Sequence, residues 1–259
     1  MSFQPLVGQG GYAGWRLLNR TAGLQKSLIA RDPVMARSHA HLRANIARLS
    51  SADDLVSDYR LLSTTLKAFG LENDINSRVF IRRILESDLD DRSSLANRLA
   101  DKRYRKLAEA FRFDRGASAG SRQDLAERIV ERHVAAELES RVGTVDGNLR
   151  LALNAQRELP ALAGAGSTDN TMWYTILGSP PLRKVIEGAF GMSSAFARLP
   201  LDRQLQDVKE GAGRLFGTES PNVFANPQDL EKLIQRFLLR AQAVTPVQSS
   251  YGAALALLS

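Results

Sequence analysis

The side chains suited to acid–base or metal chemistry are few. Three histidines, His39, His41 and His133, stand in a chain that has no cysteine. His39 and His41 are two residues apart, so on a helix they point to different sides and do not share a metal. His133 has Glu137 one helical turn on, which reads as a pair on a charged surface face. Asp88-Leu89-Asp90-Asp91 begins like a calcium loop, but Arg92 and Ser93 stand where a further ligand and a glycine are needed, and Leu99 stands where an acid should close the loop. The segment reads instead as an acidic helix-capping turn. No Gly-x-Ser-x-Gly elbow occurs, and no spacing singles out a carboxylate pair for glycoside hydrolysis. Gly8, Gly10, Gly11 and Gly14 lack the preceding strand and the following Lys-Ser/Thr of a phosphate loop. The expectation is a protein that is not an enzyme, with no cofactor and no metal.

Charge is the next candidate for function. The net charge is +7, and its distribution is uneven. Residues 1–50 hold seven basic groups and one acid, Asp32, whereas the remainder holds 28 basic groups against 27 acidic ones. This reads as a nearly neutral body with a basic arm, of which Arg37, Arg43 and Arg48 are the candidate contact residues. The arm suits nucleic acid, an anionic membrane or an acidic partner; the bland reading is a solvated helix in a chain where Arg outnumbers Lys 28 to 7. A second basic run, Arg98, Lys102, Arg103, Arg105 and Lys106, surrounds Tyr104. It reads either as a phosphate-contacting face or as a solvated one diluted by Asp101 and Glu109.

The elements that must carry these groups are helices throughout. Apolar residues recur at helical spacing and no segment alternates with period two, so the fold class is all-α, a multi-helix bundle of ten to twelve short helices. Residues 1–14 read as an extended, glycine-rich lead. Asp32-Pro33 starts a helix to about Leu49 with a narrow stripe of Met35, Leu42, Ile46 and Leu49. Ser51 and Asp54 form a capping box for a helix running to Phe69, with Tyr59 on its apolar face. Residues 123–141 form an amphipathic helix, and the helix from Val145 is expected to close at Pro160. Pro180-Pro181 opens another. The expected division is a basic arm over 1–50, a helical body over 51–243 with a candidate seam at 161–170, and a flexible tail over 244–259. No segment has the length and apolarity of a membrane span, and residues 1–21 lack the pattern of a cleavable signal peptide.

Three helix ends look alike: Ala68-Phe69-Gly70-Leu71, Ala110-Phe111-Arg112-Phe113 and Ala189-Phe190-Gly191-Met192. Gly70 and Gly191 are expected helix stops, with glycine left-handed and the next apolar residue folding back. Their spacing suggests a weak helical repeat of about 40 residues; the alternative is that good helix stops look alike.

Several motifs carry a family resemblance. They are Gly14-Trp15, Leu61 to Asp74 (LLSTTLKAFGLEND), Phe80 to Glu86 (FIRRILE), Ser94 to Tyr104 (SLANRLADKRY) and Gly178 to Arg183 (GSPPLR). Together, from about residue 3 to 240, they resemble the bacterial family called domain of unknown function 1217. The resemblance implies a protein encoded mainly in alphaproteobacteria, commonly within flagellar gene clusters, with no established activity and no catalytic residues to carry over. The chain departs from the family at Arg112, where glycine is usual, and at Leu42 and Ala44, where an aromatic and an acid are expected. Asn97, Arg98, Asp101, Arg103 and Tyr104 of the longest motif are expected to form a buried or half-buried polar knot.

The function expected is therefore a non-enzymatic helical protein of the flagellar system that acts through unidentified flagellar proteins. Its place is the flagellum or the cytoplasm. The alternative is a nucleic-acid-binding regulator using the basic arm.

Overall fold

The computed structural model describes residues 3–99, 101–115, 119–164 and 166–244. Among these are thirteen α-helices, four 3-10 turns and no strand. The chain divides into two units, Met1–Leu6 with Leu18–Thr144 and Val7–Leu17 with Val145–Ser259.

The first unit contains most of α1 (Gly11–Ala30), then α2 (Pro33–Asn45), α3 (Ala52–Ser57), α4 (Tyr59–Ala68), α5 (Arg78–Leu85), α6 (Leu95–Arg98), α7 (Lys102–Phe111) and α8 (Ala119–Gly143). Helix α4 packs on both α2 and α8. The core gathers Leu42 and Ile46, Leu62 and Leu66 of α4, Phe111 of α7 and Ile129 of α8, all buried. The narrow stripe of α2 is thus committed inside the unit, and Met35, Leu42, Ile46 and Leu49 are buried. Part of the segment expected as an arm is core.

The helix expected over 51–69 is two helices. Ser51 accepts from the Asp54 N–H and Asp54 from the Ser51 N–H, so the capping box forms. The helix then breaks at Asp58, which is extended (φ −88°, ψ 101°). The Asp58 carboxylate recaps the chain, accepting from the N–H groups of Arg60 at 2.9 Å and Leu61 at 3.0 Å. Tyr59, at the first position of α4, is therefore 60% exposed rather than on the apolar face.

The second unit holds residues 11–17 of α1, then α9 (Gly147–Ala163), α10 (Asp169–Gly178), α11 (Pro180–Phe190), α12 (Leu201–Phe216) and α13 (Pro227–Val244). Helix α11 is central and touches α9, α10, α12 and α13. A chain of rings runs through the unit: Trp173 to Phe224 at 6.0 Å between centroids, Phe224 to Phe216 at 5.6 Å and Phe216 to Phe190 at 6.4 Å. Close approach matters too: a Cβ on Gly188 of α11 would stand 2.7 Å from the Phe237 ring of α13.

Pro160 does not close α9, which runs through it to Ala163. A proline inside a helix forfeits one backbone bond, at a cost of about 3 kcal/mol. Here Leu159 is buried beside it, and the Pro160 carbonyl accepts from Gly164 N–H at 3.0 Å, so packing carries the helix past the proline. The expected seam at 161–170 falls partly within α9, and the division of the chain lies at Thr144 and Val145 instead. The glycine-rich lead is packed in the second unit, where Val7 is 4% exposed and a Cβ on Gly14 would stand 2.5 Å from the Val7 carbonyl. The expected tail at 245–259 lies outside the described residues.

The three similar helix ends differ. Gly70 (φ 72°) and Gly191 (φ 72°) are left-handed and make the two bonds of a Schellman motif: Leu71 N–H to Leu66 O and Gly70 N–H to Lys67 O, and likewise Met192 to Glu187 and Gly191 to Gly188. Arg112 is left-handed as well (φ 46°) but makes the single bond to Ala108 O. It takes the turn without glycine, and Phe113 stacks on Phe111 at 5.4 Å. Schellman stops at both glycines and a different stop at Arg112 fit ordinary helix ends better than a repeated unit.

Candidate functional site

In the first unit, the titratable groups that the sequence scattered are brought together. His39 of α2 and His133 of α8 are buried, with His39 Nε2 3.1 Å from His133 Nδ1 and the rings edge to face. One nitrogen carries the hydrogen and the other accepts it, so the contact is lost when both rings are protonated. Burial pushes both histidines below their ordinary value, His133 to about 4, helped by His39 and Lys67 nearby. His133 is thus not a surface partner of Glu137. Instead, Glu137 binds Lys67 of α4 and Arg141 of its own helix, and Arg141 also reaches Asp32 at 3.5 Å and the Phe3 carbonyl at 3.0 Å. Burial opposes the Glu137 carboxylate, but these two cations hold it below the usual range. His41 faces away from His39 and binds Asp58 at 2.6 Å, fixing the break between α3 and α4. No three His, Asp or Glu side chains come together to hold a metal among the described residues.

The expected polar knot separates into two ties. Asn97 Nδ2 donates to the Leu89 and Asp91 carbonyls at 3.0 and 2.7 Å and so holds the acidic turn. Asp101 caps α7 through Arg103 N–H at 3.0 Å, and its carboxylate grips the Arg103 guanidinium, which also donates to the Gly70 carbonyl. Tyr104 donates to Asp74 at 2.8 Å; burial and that carboxylate push its hydroxyl up to about 12. The second tie therefore binds the start of α7 to the Gly70 stop and the turn after it. Arg98 is exposed and belongs to neither tie.

Within the second basic run, Lys102 donates to the Asn97 and Leu99 carbonyls and Arg105 pairs with Glu109 at 2.8 Å. Those cations, with Arg103, are spent on the fold. In the first fifty residues, Arg43 is held by Glu127 of α8 through two bonds of 2.7 and 2.8 Å, whereas Arg37 and Arg48 are exposed with no partner among the described residues.

Two hollows among the described residues of the second unit bear on function. One, of about 200 Å3, is walled by Gln156, Pro160, Phe224, Pro227 and Glu231. The Glu231 carboxylate accepts from Trp15 Nε1 at 2.9 Å and the Tyr12 hydroxyl at 3.3 Å. It is the one acid in the lining, so the paired carboxylates of a glycosidase are not assembled there. The other is an open groove of about 440 Å3 along α13, lined by Leu215, Lys232, Gln235, Arg236, Leu239 and Arg240. The four-residue spacing of its cations, Lys232, Arg236 and Arg240, with apolar Leu239 on the same helical face, is their signal in the sequence.

No helix among the described residues is long and apolar enough to cross a membrane. Among curated proteins none matches the chain. The crystal structure of a structural-genomics target from Agrobacterium tumefaciens is similar over 95% of this chain and 99% of that one, with a TM-score of 0.77 and 24% identity, which supports a shared fold. The model of the family described as protein of unknown function (DUF1217) matches residues 68–230, a shorter span than the 3–240 suggested by the motifs. That span covers the two polar ties, both Schellman stops and more than half of the sequence, and the chain therefore belongs to the DUF1217 family.

Proposed function

We propose that the protein is a non-enzymatic helical protein of the bacterial flagellar system, acting by protein–protein interaction in flagellar assembly or structure. The flagellar setting rests on the resemblance drawn from the sequence motifs. The interaction reading rests on one observation, the outer face of α1 in the first unit. Leu24 is 63% exposed and Leu28 is 40% exposed. At 100° per residue Leu24 lies about 120° and Leu28 about 80° round from the middle of the buried face of Leu18, Gln25 and Ile29, and exposed Arg20 and Arg31 lie before and after them. Val34, also 63% exposed, and Arg37 follow at the start of α2. Single exposed leucines are ordinary; two on one outward face between arginines suit a partner.

A clean deletion strain tests the setting, and impaired swimming or flagellation is the expected outcome. Normal flagella and normal swimming would overturn it. Fractionation separates a protein that joins the flagellum from one that meets its clients in the cytoplasm. Nucleic-acid binding through Arg37, Arg43 and Arg48 is the competing reading, weakened by the engagement of Arg43 with Glu127. Duplex binding that falls steeply with salt and drops in Arg37→Ala and Arg48→Ala would favour it instead.

A further inference from the structure

We infer that the groove along α13 in the second unit is a docking site for an acidic, amphipathic helical segment of a partner protein. This deepens the interaction reading above and rests on it. The groove presents Lys232, Arg236 and Arg240 in line, one helical turn apart, with Leu215 and Leu239 between and beside them. Every charged side chain in the lining is a cation, and none is paired with an acid among the described residues. Three other arginines of the same unit are each paired with an acid: Arg183 with Glu187, Arg203 with Asp207 and Arg214 with Glu210. Three cations on one helical face, with no acid in the lining among the described residues, give the groove a positive character.

The cations are also held in place before any partner arrives. Lys232 Nζ donates to the Leu215 carbonyl at 2.6 Å and lies 5.4 Å from the Phe216 ring centroid. Arg236 Nε donates to the Ala189 carbonyl at 2.8 Å. Arg240 lies over the Gly191 stop, where a Cβ would come within 2.3 Å of its Nη2. Each of these contacts leaves further N–H donors unused, two on Lys232 and the terminal amino groups of Arg236. The carbonyl ends of α11 and α12 that they touch carry only partial negative charge, so the face stays cationic.

The apolar component decides what kind of anion fits. Leu239 is 49% exposed and Leu215 half-buried, so the groove offers a hydrophobic strip framed by positive charge. A free phosphate gains nothing from that strip. A helix with leucines on one face and glutamates flanking them satisfies both components at once. The volume of about 440 Å3 admits side chains of that helix and not a whole domain.

The test uses the full chain and a fluorescein-labelled synthetic helix of about 15 residues built from Glu, Ala and Leu, with leucines at i, i+4 and i+7. Fluorescence anisotropy should give a Kd on the order of 10 μM at low salt, weakening as salt rises. Arg240→Glu should weaken binding about tenfold, or about 1.4 kcal/mol, and Leu239→Ser by a smaller factor. Unchanged tryptophan fluorescence and melting would show that both variants remain folded. A peptide of the same composition with its leucines scattered should bind more weakly. Equal binding of the scattered peptide, no effect of either folded variant, or binding to phosphatidylglycerol vesicles without binding to the peptide would each overturn the proposal. The outcome is independent of the deletion strain: normal swimming with intact peptide binding refutes the flagellar setting alone, and impaired swimming without peptide binding refutes the groove alone.

Discussion

The two units are stabilised by different kinds of interior. The first is laced with titratable joints: the His39–His133 pair, the Lys67–Glu137–Arg141–Asp32 network and His41 on Asp58. The second is organised by a chain of aromatic rings from Trp173 to Phe190 and by the close contact of Gly188 with Phe237. Beyond its apolar core, the first unit has joints whose strength depends on which groups carry protons, whereas the second relies on shape. The same contrast separates their cations. Lys67 and Arg141 are paired with acids inside the fold and Arg43 with Glu127 at its surface, while Lys232, Arg236 and Arg240 face an open groove whose lining holds no acid.

The largest expected effect comes from breaking the shape-dependent unit. Trp173 is fully buried and its Nε1 donates to the Glu219 carbonyl at 2.9 Å. Trp173→Ala should cost about 3–5 kcal/mol in denaturant unfolding, with the same loss at pH 7 and pH 5. The next effect belongs to the first unit and comes from acid. The unfolded His133 takes a proton below its ordinary value of 6.5, but the folded one resists until about 4. The unfolded state therefore binds more protons in that window, and stability is lost as pH falls from about 6.5 to about 4. The loss from His133 is about 3 kcal/mol, with His39 acting in the same direction. Melting by circular dichroism should follow it, and His133→Gln should flatten the slope. Glu137, whose folded value is depressed below 4.5, loses its contribution as pH falls further and it protonates, so its loss follows that of the histidines.

Smaller effects sharpen the contrast. Gly188→Ala gains helix propensity but drives a methyl group against a ring that is 3% exposed, so a net loss of about 1–2 kcal/mol is expected in thermal unfolding. Tyr104→Phe removes the bond to half-buried Asp74 and should cost about 1 kcal/mol. Arg112→Gly relieves a left-handed non-glycine residue and should be neutral to stabilising by about 0.5–1 kcal/mol, less whatever its ion pair with Asp114 contributes.

Local chemistry was legible in the sequence, and contacts between distant segments were not. Gly70, Gly191, the Ser51–Asp54 box and Pro180-Pro181 act through their own neighbours, so their types and spacing suffice. The all-α class follows from periodicity in the same way. The His39–His133 contact joins residues 94 apart, and nothing near either histidine announces the other. Asp58 looked like a polar position inside a helix because its capping role depends on the turn it creates. Pro160 looked like a terminator because propensity says so; burial of Leu159 and the packing around it override that preference. The knot expected from Asn97 to Tyr104 is instead two ties, with Arg98 in neither and Arg103 exposed, divided by partners at Leu89 and Asp74 that lie outside the motif.

Native-state hydrogen exchange, corrected for intrinsic rates and followed by mass spectrometry at pH 7 and pH 5, tests the contrast most directly. Tryptophan fluorescence provides a check on the second unit, because the two tryptophans of the chain, Trp15 and Trp173, both belong to it. The expected result is that amides of α2, α4 and α8 lose protection on acidification while those of α10, α11 and α13 keep it. Equal loss in both units, or protection in the first unit that does not change with pH, would contradict the account.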